Sequence, residues 1–405
     1  MTTMTTNQSA TADHYTIISS DCHAGGNHAM YREYLESSWQ EEFDDWRGAY
    51  SNPFRDLQDD GRSRNWDNER RVSELNDDGV IAEIVFPNTV PPFFPTGALI
   101  APPPNPKNYQ RRLAGIRAHN RWLVDWCAEY PQRRAGIGQI FLNDVDEALT
   151  DVQWIKDQGL RGGVLLPGIP PDSGIEPLYS DVYEPFWSLC EELDMPITHH
   201  SGNGTPNYGK HPIALMLLLV ETPFYSHRAL EYMILSGVFE RHPNLKFIVT
   251  EQGVAWIPET LARLDAYHAQ MKSGRVGELG FNADVVLPEP PSFYFQRNCW
   301  VGASFPSPSE AKAIAEVGWN KVMWGNDYPH NEGCYPHTRE ALRNAFSDTP
   351  PELMHKLLSE NQAELYDFDL DALAPIAAEY GPTVEEVSTP LDELPDNSSP
   401  AFTRG

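Results

Sequence analysis

The sequence predicts an α/β fold, and within that class a distorted (β/α)8 barrel rather than an open sheet. Two observations carry this expectation. Short apolar runs alternate eight times with segments of helical period, and four of those runs end in carboxylate or imidazole side chains. A barrel gathers all its strand C-termini on one face, so those polar ends would meet there.

The first strand, Tyr15 to Ile18, runs into Ser19-Ser20-Asp21-Cys22-His23-Ala24 and two glycines. Strand alternation sends Asp21 and His23 to one side and Cys22 to the other, the pattern of a strand ending in metal ligands. Taken alone, the pair reads better as a polar turn after a buried strand, and what overturns that reading is that three later strands end the same way. Residues 1–13, rich in Thr, Ser and Asn, read as a disordered tail. The aromatic and acidic stretch 31–67, with Trp39, Trp46 and Trp66, reads as an inserted lid. A helix then starts near Asp67, carries Glu69, Arg70, Arg71 and Leu75, and stops at Asp78-Gly79.

The second strand is Val80 to Pro87. Eight prolines in 87–106 exclude helix and central strand, which leaves a second rim loop. A helix over 109–129, a strand over 134–141, a helix over 145–158, a strand over 163–166, a helix over 183–193 and a fifth strand over 195–200 follow. The long helical stretch 211–241 contains Leu215-Met216-Leu217-Leu218-Leu219-Val220, which reads as core or subunit interface. Strand six is 245–250, strand seven falls within 293–301, strand eight is 321–325, and a helix covers 353–366. The barrel domain thus spans 14–370 with a C-terminal helical extension, and 371–405 reads as an acidic arm or tail.

The charge balance, 30 Lys and Arg against 58 Asp and Glu for a net −28, argues against a nucleic-acid or anionic-membrane partner. Five scattered cysteines without CxxC spacing support neither a disulfide framework nor a zinc knuckle, and fit a cytoplasmic protein. No apolar run approaches a membrane span. No phosphate loop, dinucleotide fingerprint or nucleophile elbow is present.

Four strand ends carry the chemistry: Asp21-x-His23, His199-His200-Ser201-Gly202, Glu251-Gln252-Gly253 and Asn326-Asp327-Tyr328-Pro329-His330. None of them brings a Lys or Arg. Converging carboxylates and imidazoles without a cation are most simply explained by a divalent metal ion, because unpaired buried carboxylates are costly.

These motifs, with Pro196 through His200, Pro243 through Trp256 and Glu360 through Tyr366, resemble the amidohydrolase-related family that includes the aminocarboxymuconate-semialdehyde decarboxylase group. The resemblance implies a distorted TIM barrel with a metal held by Asp21, His23, His200 and Asp327. In a zinc or manganese hydrolase or decarboxylase built on this site, Asp327 would act as general base while touching the metal, with Glu251 or His330 moving the proton. Two departures weaken the decarboxylase expectation: Glu251 stands where decarboxylases of the family generally carry His, and Asp21 where the first ligand is often His or Glu.

Glu69 could reach the same mouth, although it reads equally as a first-turn Glu that suits the helix dipole. With both Glu69 and Glu251 present, the ligand set exceeds what one ion can use and fits a carboxylate-bridged pair, two Fe or Fe with Mn. The chain then resembles a branch of the family that hydroxylates C–H bonds with O₂, here a small organic acid, using an external electron donor. This di-iron monooxygenase is the leading expectation. The alternatives are a Zn- or Mn-dependent hydrolase or non-oxidative decarboxylase, and a non-catalytic subunit beside an active paralogue. A homo-oligomer, or a hetero-oligomer with a related chain, is expected.

Overall fold

The structure, a computed structural model, describes residues 13–51, 60–171, 173–202 and 204–402. The expected N-terminal tail therefore lies almost wholly outside the described residues, as do Asn203 and part of the lid.

Eight parallel strands form one sheet in sequence order: β1 (Ile17–Ala24), β2 (Val80–Pro87), β3 (Arg134–Gln139), β4 (Gly163–Leu165), β5 (Ile197–His200), β6 (Phe247–Thr250), β7 (Cys299–Ser304) and β8 (Val322–Gly325). Apolar residues fill the middle of most of these strands because both faces of the sheet are buried. Ile18, Ile84, Ile137, Leu165, Ile248 and Met323 share one cluster along the barrel axis. Ile17, Val85, Val164, Ile197, Val249 and Val301 belong to the cluster under the helices. The ring closes just beyond β8, where the His23 amide donates to Tyr328 O (2.7 Å) and the Asp327 amide to Asp21 O (2.8 Å).

β1 extends past its expected end because residues 19–24 pair with β2. Ser19 faces Glu83 and Cys22 faces Val85, so β1 spends three steps on two of β2, a bulge. Its effect is decisive. Counting from Ile18, which faces the axis, strict alternation would send residues 20, 22 and 24 inward. The extra residue turns Asp21 and His23 inward and Cys22 and Ala24 toward the helices.

β7 is also displaced. The expected 293–301 is a helix over Pro291–Asn298, started by Pro at its first position, and the strand follows it. The lid carries two helices, α1 (His28–Tyr34) and α2 (Ser37–Ala49), with Asn27 capping α1 by accepting from the Met30 amide. It leads to α3 (Asn68–Asp78), while the proline-rich stretch stays free of helix and strand up to α4 (Tyr109–Ala128).

The C-terminal arm is packed through at least residue 387: helices Leu370–Tyr380 and Val384–Val387 are joined to the start of the chain by Tyr15 N donating to Pro382 O and Val384 N to Asp13 O. Among the described residues, no helix is long and apolar enough to cross a membrane.

Candidate metal centre

Asp21 and His23 come from β1, His200 from the end of β5, Glu251 from just past β6, and Asp327 from just past β8. Two backbone adjustments bring the last pair in. Glu251 and Asp327 both adopt left-handed φ, 56° and 60°, which breaks strand alternation at the point where each side chain must turn to the axis. Gly325 supplies the room: a Cβ there would stand 2.8 Å from Asp21 Cβ.

His23 Nε2 lies 3.2 Å from Asp21 Oδ1 and 3.1 Å from Asp327 Oδ1. His200 Nε2 lies 3.4 Å from Asp21 Oδ1 and 3.2 Å from Glu251 Oε2. Asp21, His23 and Asp327 are fully buried, His200 nearly so, and the Glu251 side chain is 26% exposed. Yet Asp21 Oδ1, His23 Nε2, His200 Nε2 and Asp327 Oδ2 have no hydrogen-bond partner. Four buried ligand-type atoms converge on one place, in well-formed hydrogen bonds to none of their neighbours and facing only one another's side chains, the arrangement that a bound cation completes.

The histidine orientations agree. His23 Nδ1 lies 3.4 Å from Pro87 O, and His200 Nδ1 lies 2.9 Å from Ser201 O. Each can donate from Nδ1 to a carbonyl, leaving Nε2 as the acceptor that a metal needs. The ligand-type atoms fall into two groups, Asp21/His23/His200/Glu251 and His23/Asp327/His330, each within 4.8 Å and joined through His23.

Electrostatics follow from this packing. Burial works to raise the Asp21 pKa, but the imidazoles of His200 and His23 overcome it and hold the carboxyl well below its usual range. Burial opposes charge on His23, and Asp21 and Asp327 outweigh it, so its pKa is raised. Glu251 goes the other way: burial and the negative charge of Asp327 push it up to about 7. The site thus holds ionised carboxylates at its centre and one carboxyl at its edge poised to carry a proton near neutrality.

His330 sits beside the cluster with both nitrogens engaged, Nδ1 2.8 Å from Asp327 Oδ1 and Nε2 3.1 Å from Asn88 Oδ1, and its ring centroid is 4.1 Å from that of His23. It braces Asp327. His199 faces the helices, as alternation expects, with Gln252 Nε2 3.0 Å from its Nδ1.

Glu69 does not join. It is solvent-exposed in the first turn of α3, whose buried face carries Arg71, Leu75 and Asp78. A residue two positions before Arg71 lies about 200° around the helix from it, on the opposite face. The carboxylate set on which the two-ion expectation rested is therefore not assembled.

Three supporting residues escaped the sequence reading. Ser304 Oγ hydrogen-bonds Asp21 Oδ2. Asn88 meets His330. Arg71, fully buried, donates to the His23 carbonyl at 2.8 Å and stacks over Tyr328, 4.7 Å from its ring centroid. Ser304 could have been found as one more polar strand end, had β7 been placed correctly.

Residues 85–368 match the amidohydrolase family profile, a span that starts beyond Asp21 and His23. A 2-amino-3-carboxymuconate-6-semialdehyde decarboxylase of Dictyostelium discoideum is 28% identical over 316 residues, covering 75% of this chain and 77% of the relative. Two solved structures share the fold. One is a 5-carboxyvanillate decarboxylase of Novosphingobium aromaticivorans with bound manganese (TM-score 0.66, 20% identity, 87% of this chain and 97% of that one). The other is a dihydroxybenzoic acid decarboxylase of Polaromonas sp. JS666 with bound manganese and 2-nitroresorcinol (TM-score 0.62, 18% identity, 87% and 97%).

Proposed function

We propose that this chain, which belongs to the amidohydrolase family, is a metal-dependent non-oxidative decarboxylase of a small unsaturated or aromatic carboxylic acid. The observation that carries the reading is the set of four converging buried atoms outside any hydrogen bond, with the Glu251 carboxyl at its rim. The relatives named above, decarboxylases with manganese in two of them, support it.

Asp21, His23, His200 and Asp327 would hold one divalent cation, which supplies Lewis acidity toward the oxygen atoms of the substrate. Ser304 and His330 hold the two carboxylates in place. Loss of CO₂ leaves the electron pair of the broken C–C bond on carbon, and that carbon takes a proton. Glu251 is the donor: it borders the cluster, burial and the charge of Asp327 favour its protonated form, and it is exposed enough to recover the proton from water. The reaction R–COO⁻ + H⁺ → R–H + CO₂ needs neither O₂ nor an electron donor. The His-to-Glu departure at this strand end then changes the acid and keeps the chemistry.

Self-association belongs to the same reading. Leu215, Met216, Leu219, Val220 and Phe224 of the helix Ala214–Leu235 are each more than 60% exposed, an apolar face of the kind that a second subunit covers.

The test is CO₂ release under anaerobic conditions from a panel of hydroxybenzoates, carboxyvanillate and aminocarboxymuconate semialdehyde, with manganese-loaded protein. Metal-dependent release that Glu251→Gln removes supports the reading. Turnover that requires O₂ and a reductant refutes it.

A further inference from the structure

His330 braces Asp327, and the groups that hold His330 in turn lead back to the lid. Asn65, only 2% exposed, closes the 3₁₀ helix Asp60–Asn65 at the end of the lid segment. Its Nδ2 donates to Arg62 O at 3.0 Å, and a carbonyl oxygen can only accept. Asn65 Oδ1 is thereby turned toward Asn88, whose Nδ2 donates to it at 2.7 Å. That bond uses the nitrogen side of the Asn88 amide, so Oδ1 is the atom 3.1 Å from His330 Nε2. One backbone acceptor thus orients both amides, and His330 Nε2 must donate.

On the other side of the ring, Nδ1 lies 2.8 Å from Asp327 Oδ1. With an acceptor at each nitrogen the imidazole has one orientation, because a flipped ring would set C–H groups against both oxygens. Asp327 Oδ1 is then engaged, and Oδ2, which has no hydrogen-bond partner, is left for the ion. The backbone seats the same residues. Asn88 N donates to Ala24 O at 2.9 Å and Gly25 N to Asn65 O at 3.1 Å, just past His23 on β1. Arg71 Nη1 donates to both Arg64 O and His23 O, at 2.9 and 2.8 Å. Two metal ligands, Asp327 through side chains and His23 through its carbonyl, are tied to one turn of the lid.

We infer that Asn65 and Asn88 are positioning residues of the metal centre, an amide relay by which the end of the lid sets the direction of His330 and, through it, the carboxylate of Asp327. Neither asparagine belongs to the converging ligand atoms. The relay serves the ion and not one particular reaction, so it stands or falls apart from the decarboxylase reading.

The test is the dissociation constant of Mn²⁺, read without substrate from the electron paramagnetic resonance signal of the free ion. Groups behind metal ligands are worth about 10- to 100-fold in affinity, so Asn88→Leu should weaken Mn²⁺ binding by about tenfold or more. Asn65→Leu, which leaves Asn88 free to turn its Nδ2 on His330, should weaken it too. Asn88→Asp returns an acceptor to His330 and should bring the affinity back to within about threefold of wild type. Because the relay acts through His330, Asn88→Leu should have no further effect in a His330→Ala background. Either leucine variant suffices alone, and Asn88→Ser, too short to reach His330, replaces them if neither folds. Unchanged affinity in the folded variants, or a loss that adds to that of His330→Ala as a merely structural defect would, overturns the relay.

Discussion

Arg71 and Glu83 lie between the strands and the helices, buried and saturated. Arg71 Nη2 and Nε both reach Glu83 Oε2, at 2.6 and 3.0 Å, while Nη1 donates to the carbonyls of His23 and Arg64. On the other face of the same part of the barrel, Asp21, His23, His200 and Asp327 are just as buried, and each keeps an atom outside any hydrogen bond. Both groups arise from charged residues in a core, so burial alone does not separate structure from function. Satisfaction does. A finished network holds the fold, and an unfinished one that converges on a point takes a ligand. The two are also coupled, because Arg71 binds the carbonyl of the ligand His23.

The comparison breaks most visibly at the unfinished group. His200→Ala should lower kcat/KM by about 1,000-fold or more, since several kcal/mol of transition-state stabilisation rest on the ion. Bound metal, measured on the same preparation, should fall with it while far-ultraviolet circular dichroism stays unchanged. A variant that keeps its activity would remove His200 from the site.

At the finished group the expected loss is in stability. Arg71→Met leaves Glu83 buried without its main partner and should cost about 3–5 kcal/mol in urea unfolding. Adding Glu83→Gln should return part of that loss, which a double-mutant cycle reads directly. Equal stability of wild type and Arg71→Met would contradict the distinction drawn between the two groups.

Glu251→Gln should reduce kcat by about 100-fold, in the range of a lost general acid. The pH profile gives the sign. Burial and Asp327 raise the Glu251 pKa to about 7 in the metal-free site and a bound cation lowers it from there, so wild-type kcat should fall with rising pH along a limb centred below 7. The residual rate of the variant should lack that limb.

His119 marks the boundary between the two kinds of buried group. Its Nδ1 meets Tyr31 OH at 2.8 Å and its Nε2 has no hydrogen-bond partner, but no carboxylate among the described residues pairs with it. Burial pushes its pKa down to about 3, so the folded protein holds it neutral. The unfolded chain takes up the proton from about pH 6.5 downward, and stability is lost as pH falls from there toward 3. Thermal denaturation at pH 5 and 7.5 should show a loss of about 2 kcal/mol from this residue, absent in His119→Asn.

The barrel was legible in the sequence because strands buried on both faces leave uninterrupted apolar runs, and the polar ends of β1, β5, β6 and β8 stood out against them. Two boundaries were not. β1 runs on through Ser19, Ser20 and Asp21, polar residues that pair as strand only because a bulge fits them to β2. The aromatic run from Phe293 reads as strand, whereas Pro290 and Pro291 start a helix there. That shift concealed Ser304. Glu69 was misassigned for a related reason: its direction depends on the phase of α3, and the buried side of that helix is marked by Arg71, a residue that sequence reading places outside.

The most direct measurement is the metal content per chain of protein loaded with iron or manganese, by plasma mass spectrometry, for wild type, Glu69→Ala and His200→Ala. One ion per chain in wild type and Glu69→Ala, and little in His200→Ala, is the expected result. Two ions per chain in the wild type, with one lost in Glu69→Ala, would contradict the single-ion centre and restore the di-iron alternative.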